Sequence, residues 1–260
     1  MDRTNLWARA QIATEVIREA GEIAVDFYRR RERIAVESKG VQDLVSEADR
    51  ACEDLIVARL SSSFPDDSLL GEEGGLRQRG ATTWVIDPID GTANFVRGIS
   101  HWCISIGLLI GGKAVLGLVF DPVANELFSA MHGAGARLNG EEIAVSGETD
   151  LAKARIGIGF SYRRPVAPHA RDIEALLDAH CEYSRLGSGA LGMAYTACGR
   201  FDGYWERHIN SWDVVGGLAL VSEAGGRTNN FLHGDFLLKG NEVLAATPLL
   251  LDSLSKLLRR

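Results

Sequence analysis

The stretch Asp87-Pro88-Ile89-Asp90-Gly91-Thr92 constrains this chain more than any other, because an apolar run enters it and a tight, oxygen-rich turn must follow. Trp84-Val85-Ile86 reads as a buried strand leading in. Pro88 fixes φ and lacks an N–H, while Gly91 permits backbone conformations that other residues avoid. Asp87 and Asp90 can thereby converge on one point. With the Ile89 carbonyl they make an all-oxygen donor set of the kind Mg²⁺ prefers, without His or Cys. Asp-Pro and Asp-Gly are also ordinary turn dipeptides, in which each aspartate bonds its own backbone. At this point both readings stand.

Three other acidic clusters sit where elements should end. Gly71-Glu72-Glu73-Gly74-Gly75 has little helical propensity and no apolar face, so it is either a site loop or a solvated turn. In Asp43-Leu44-Val45-Ser46-Glu47-Ala48-Asp49, Ser46 is placed to N-cap a helix with Asp49 at its third position, a capping box. Trp212-Asp213 opens a helix through Val214, Val215, Leu218 and Ala219 that Gly225-Gly226 ends. An aspartate there either serves a site or favours the helix dipole.

Taken together and in order, these four motifs resemble the inositol monophosphatase family of Mg²⁺-dependent, lithium-sensitive phosphatases, related in fold to fructose-1,6-bisphosphatase. The likeness runs nearly end to end, including Ala93-Asn94-Phe95 after the turn and Glu223-Ala224-Gly225-Gly226 downstream. It implies two to three Mg²⁺ ions per site. Glu72, Asp87 and the Ile89 carbonyl would hold the first ion and its attacking water, and Asp87, Asp90 and Asp213 the second. Glu72 would also help a third. Glu72, Thr92 and Asp49 form the implied catalytic group, with Thr92 bonding the water and with Asp49 and Glu73 orienting it. The N–H groups of Gly91 and Thr92, beside Asp90, would receive phosphate oxygens at a helix start.

The resemblance implies hydrolysis of myo-inositol monophosphate by direct in-line attack of water. Phosphate monoesters are among the slowest substrates to hydrolyse unaided, with enhancements reaching ~10²¹, so charge neutralisation and positioning must supply most of the effect. Glu206 matches the family glutamate that bonds inositol hydroxyls, and Ser188 and Gly189 match the facing loop. A carboxylate there would equally suit the amine of histidinol phosphate, the substrate of other members of the superfamily. Some bacterial relatives resemble regulators of RNA synthesis, which makes a binding protein the second class of reading. Three departures stand out: Ala93 replaces a commoner threonine or lysine, Ser46 a threonine, and Gly216-Gly217 follow Trp212-Asp213 where alanine is usual. The last pair suggests close packing.

Composition fits these expectations. The 260 residues, 46% hydrophobic, suffice for a sizeable core in one unit or two closely packed halves. We place the halves at 1–140, with most of the metal ligands, and 141–260, with Asp213 and the substrate contacts, together one catalytic unit. A net charge of −7 argues against a nucleic-acid phosphate surface and suits carboxylates awaiting cations. Arg29-Arg30-Arg31-Glu32-Arg33 reads as a solvated helix end. Cys52, Cys103, Cys181 and Cys198 are unpaired in spacing, so a reducing cytoplasm is expected. The N-terminus alternates charge with Ala13, Val16, Ile17, Ala20, Ile23, Ala24 and Phe27, an amphipathic helix and not an export signal or membrane span. The family implies a homodimer, although no exposed apolar face is legible.

Along the chain, two N-terminal helices precede a strand-rich middle. Strands 104–110 and 114–120 are joined by Gly111-Gly112, strand 126–131 follows, and Asn139-Gly140 marks a turn. Helices are predicted over 172–181, 191–199 and 213–224. This is a mixed α+β chain, which the resemblance makes a layered α-β-α-β-α sandwich with the metal site between halves. Trp84, Trp102, Trp205 and Trp212 read as core. Of six histidines without ligand spacing, His208 alone lies near Glu206 and Asp213, in line for the substrate mouth.

Overall fold

The apolar stripe of the N-terminus forms α1 (Arg3–Arg29), with Ala13, Val16, Ile17, Ala20 and Ala24 fully buried. The computed structural model describes residues 3–33, 36–40, 43–77, 80–162 and 164–258. After α1, a hairpin of β1 (Val36–Gly40) and β2 (Asp43–Ser46) delivers the chain to α2 (Glu47–Ser63). The capping box forms there as the sequence predicts, with Asp49 returning a bond to the Ser46 N–H. Of the basic run, Arg30 pairs with Asp26 at 2.8 Å and Arg31 donates to the Tyr28 carbonyl.

Next come β3 (Ser68–Gly71), β4 (Gly75–Arg77), β5 (Thr82–Asp90) and the short helix α3 (Thr92–Arg97). Then β6 (Cys103–Ile110), β7 (Lys113–Asp121), β8 (Glu126–Met131), β9 (Ala136–Leu138) and β10 (Glu141–Ile143) complete an eight-stranded sheet in the order β10-β9-β8-β7-β6-β5-β3-β4. The turns at Gly111-Gly112 and Asn139-Gly140 all take positive φ, which matches the twist of the hairpins they close.

The second sheet uses β11 (Arg155–Ile158), β12 (Glu182–Ser184), β13 (Gly203–Ile209), β14 (Arg227–Thr228) and β15 (Asn241–Ala246), in the order β12-β11-β13-β15-β14. Between its strands lie α4 (Val166–Asp178), α5 (Gly189–Ala197), α6 (Ser211–Glu223) and α7 (Phe236–Lys239), and α8 (Leu251–Leu258) follows. Helix α4 starts six residues before the predicted 172. Its first turn contains Pro168, which is tolerated because the first N–H groups of a helix have no partner within it.

The layers run α1 and α2, large sheet, α5 and α6, small sheet, α4 and α8, an α-β-α-β-α sandwich. Alternation along the large sheet sorts its side chains: Leu118 and Phe120 join the α1/α2 core, while Val119, Phe128 and Ala130 face α5 and α6. A third core holds Ile156, Ile158, Trp205 and Leu244 against Leu176 of α4 and Leu254 of α8. Trp84, Trp102 and Trp205 are fully buried, whereas Trp212 is only partly so.

Gly216-Gly217 do mark close packing. A Cβ on Gly117 of β7 would lie 2.0 Å from the Gly216 carbonyl, and one on Gly217 would lie 2.4 Å from Met193 of α5. Two buried clamps of one design hold the strands that feed the site. Asp67 accepts the Trp84 indole N–H of β5 and a two-pronged bond from Arg9 of α1. Asp172 of α4 accepts the Trp205 indole N–H of β13 and a two-pronged bond from Arg207.

Candidate active site

Strand β5 does not turn at Asp87 as expected; it runs on to Asp90 through a bulge. Asp87 faces Ser105 of β6 and Asp90 faces Cys103, so β5 spends three residues where β6 spends two. Pro88 lies in this stretch, where a missing N–H costs no regular ladder bond. The turn comes at Gly91, φ 99°, where a Cβ would approach the carbonyls of His101 and Gly187 at 3.2 and 3.3 Å.

The bulge aims two carboxylates at a third. Ligand atoms of Asp87, Asp90 and Asp213 all lie within 4.8 Å of one another. Asp213 arrives as the third residue of α6, where its Oδ2 accepts the Asn210 N–H at 3.0 Å in a second capping box. Asp87 Oδ1 accepts the Ile89 N–H at 3.0 Å, so the local-turn reading and the cluster reading both hold for this residue. Asp90 Oδ2 is held at 2.5 Å by Ser188 Oγ and at 2.7 Å by the Ala190 N–H at the start of α5.

Crowded, buried carboxylates resist ionisation. Asp87 is pushed well above the usual range by burial and then by the charges of Glu72, Asp90 and Asp213. Asp90 is pushed up to about 7 by burial, then by Asp213. Parallel pairing of β3 with β5 sets Gly71 beside Ile86, and the Glu72 N–H donates to the Ile86 carbonyl, which carries Glu72 to Asp87. The Ile89 carbonyl accepts from Thr92 Oγ1 at 3.0 Å and has a second lone pair.

Thr92 Oγ1 also lies 3.2 Å from Asp49 Oδ1, whose Oδ2 takes the Ser46 hydroxyl at 2.5 Å. Asp49 therefore caps α2 and touches Thr92 with the same carboxylate. Burial raises it to about 6 despite these bonds, and Glu73 adds a like charge. A cavity of about 730 Å³ opens above, lined by Glu72, Asp90, Gly91, Thr92, Ser188, Gly189, Glu206, His208 and Asp213 among others. Glu206 stands buried in its wall, pushed up to about 8 by burial, with the Tyr204 hydroxyl donating to Oε2 at 2.8 Å. His208 lines the cavity as expected, its Nε2 2.8 Å from the Lys239 carbonyl.

Sequence reasoning missed the groups that hold these. In sequence Tyr204 is only an aromatic beside Trp205, and Glu53, which accepts the Glu73 and Gly74 N–H groups, only an acidic residue inside a helix. The Asn94 amide donates to the carbonyls of His101 and Leu186, tying the loop after α3 to the loop before α5. None carries a spacing that announces a tertiary contact.

Comparison with known proteins agrees with this architecture. The inositol monophosphatase family model matches residues 7–260. Nus factor SuhB of Xylella fastidiosa is 42% identical over 226 residues, 86% of this chain and 82% of that one. Inositol monophosphatase 3 of Solanum lycopersicum is 38% identical over 257 residues, 95% of each chain. The crystal structure of extragenic suppressor protein suhB from Bartonella henselae superposes with a TM-score of 0.91 at 30% identity, covering 97% of this chain and 99% of that one. The chain belongs to the inositol monophosphatase family.

Proposed function

We propose that the chain is a Mg²⁺-dependent phosphatase that hydrolyses small phosphate monoesters, myo-inositol monophosphate first among them. The observation that carries this is the convergence of Asp87, Asp90 and Asp213, the last two of which line a cavity whose wall also presents Glu206. The donor set fits the metal: it is oxygen throughout, and its carboxylates are too crowded and buried to ionise comfortably without a cation. Glu72, Asp87 and the Ile89 carbonyl would hold one ion, Asp87, Asp90 and Asp213 a second, with Glu72 also near a third. Bound Mg²⁺ supplies charge neutralisation and a more acidic water.

The chain's own groups divide the remaining work. Thr92 and Glu72 hold the attacking water, and Asp49 fixes the Thr92 hydroxyl from behind, with Glu73 beside it. The open N–H groups at the start of α3, from Gly91 and Thr92, receive phosphate oxygens. Water oxygen bonds to phosphorus in line as the ester oxygen leaves, and a proton from the water ends on the released hydroxyl. Glu206, steadied by Tyr204, accepts hydroxyls of a polyol, with Ser188 and Gly189 opposite. Phosphate release from inositol 1-phosphate and histidinol phosphate, side by side, tests the substrate: faster release from the first is expected, and the reverse would reassign it while keeping the mechanism. Millimolar Li⁺ should inhibit.

Four free cysteines support a reducing, cytoplasmic setting, and among the described residues no helix is long and apolar enough to cross a membrane. Exposed Ile99 and Leu186, whose backbones Asn94 links, support a homodimer. Light scattering that returns a monomer mass would refute it. The name Nus factor SuhB on several relatives favours a second reading, a regulator of RNA synthesis that binds RNA or a protein partner. Salt-sensitive RNA binding by this chain would support it, against the expectation from its −7 charge.

A further inference from the structure

Glu53 lies inside α2 with 3% exposure, and its carboxylate faces the loop between β3 and β4 and not the cavity. Its Oε2 accepts the Glu73 N–H at 2.9 Å and its Oε1 the Gly74 N–H at 2.6 Å. The preceding N–H, that of Glu72, is taken by Ile86 of β5. Three consecutive N–H groups are thus fixed, one by β5 and two by Glu53. The glycines around them leave space for that carboxylate: a Cβ on Gly71 would lie 2.4 Å from the Glu53 carboxyl, and one on Gly74 2.7 Å from Oε1.

We infer that Glu53 is a positioning residue, which sets the Glu72 loop from behind and through it the cation affinity of the site. The inference rests on the metal reading proposed above. Without the Glu53 acceptors, two adjacent N–H groups of the loop lose their partners, and the backbone between Gly71 and Gly75 is free to rotate Glu72 away from Asp87. Groups that orient a metal ligand in this way typically contribute about 10- to 100-fold in affinity.

The test is calorimetric titration of the full-length protein with Mg²⁺. Glu53→Ala should bind it ~10-fold more weakly or worse while far-UV circular dichroism stays as in the wild type. Glu53→Gln, which keeps one acceptor and much of the shape, should lose less and serves if the alanine variant does not fold. Since the effect travels through Glu72, it should vanish when Glu53→Gln is made in a Glu72→Gln background. Unchanged Mg²⁺ affinity in both Glu53 variants, or the same loss with and without Glu72, would overturn the inference. No Mg²⁺ binding by the wild type would instead overturn the metal reading, and this inference with it.

Discussion

Asp213 serves two purposes at one helix start. Its Oδ2 closes the α6 capping box on Asn210, and its charge crowds Asp87 and Asp90. Asp213→Asn separates them, because an amide oxygen still accepts the Asn210 N–H while the negative charge is gone. We expect Mg²⁺-dependent turnover to fall ~100-fold or more in steady-state assays. Metal-free stability, read by urea unfolding, should move by no more than ~1 kcal/mol, since losing a favourable helix-dipole charge is offset by relief of repulsion. Asp49 follows the same design at α2, where a cap legible from Ser46 spacing also reaches Thr92. The cap was readable because it is local. The Thr92 contact spans 43 residues and was legible only through the family likeness, which puts both residues in one catalytic group.

At the level of elements, the strands and helices around the site are held by contacts that sequence spacing only partly announces. Hairpins at Gly111-Gly112 and Asn139-Gly140 were legible because positive φ leaves a compositional mark. The β5 bulge was not, since Pro88 looks the same in a turn as in a bulge. The two Asp-Arg-Trp clamps were equally hidden, their partners being 58 and 35 residues apart. Asp172→Ala should cost about 3 kcal/mol in urea unfolding, because it strands a buried indole N–H and loosens a guanidinium. An effect under ~0.5 kcal/mol would show the clamp to be idle. Glycine contacts differ in degree: Gly117→Ala would meet the Gly216 carbonyl at 2.0 Å and Gly217→Ala the Met193 Cβ, which moves only with its helix, at 2.4 Å, so both should destabilise the chain in urea unfolding, Gly117→Ala the more.

For the whole molecule, buried carboxylates make stability depend on cations and pH together. Asp49, Asp90 and Glu206 have folded values raised to about 6, 7 and 8, from ordinary values of 3.8, 3.8 and 4.5. In that window the folded state keeps protons that the unfolded chain has released, so these groups weaken folding as pH rises from about 4 toward 8. Without metal, the melting temperature should therefore fall between pH 5 and 8, and Mg²⁺ should raise it more at pH 8 than at pH 5. A metal-free melting temperature that climbs over this range would contradict the arrangement. The sandwich itself was legible through the family likeness more than through periodicity. Its layer order depends on which faces pair in space.

Phosphate release from inositol 1-phosphate, followed against Mg²⁺ concentration for the wild type and Asp213→Asn, tests the central claim most directly. The account predicts release that rises from near zero with added Mg²⁺ in the wild type and stays near zero in the variant. Metal-independent release, or equal release by both proteins, would contradict it.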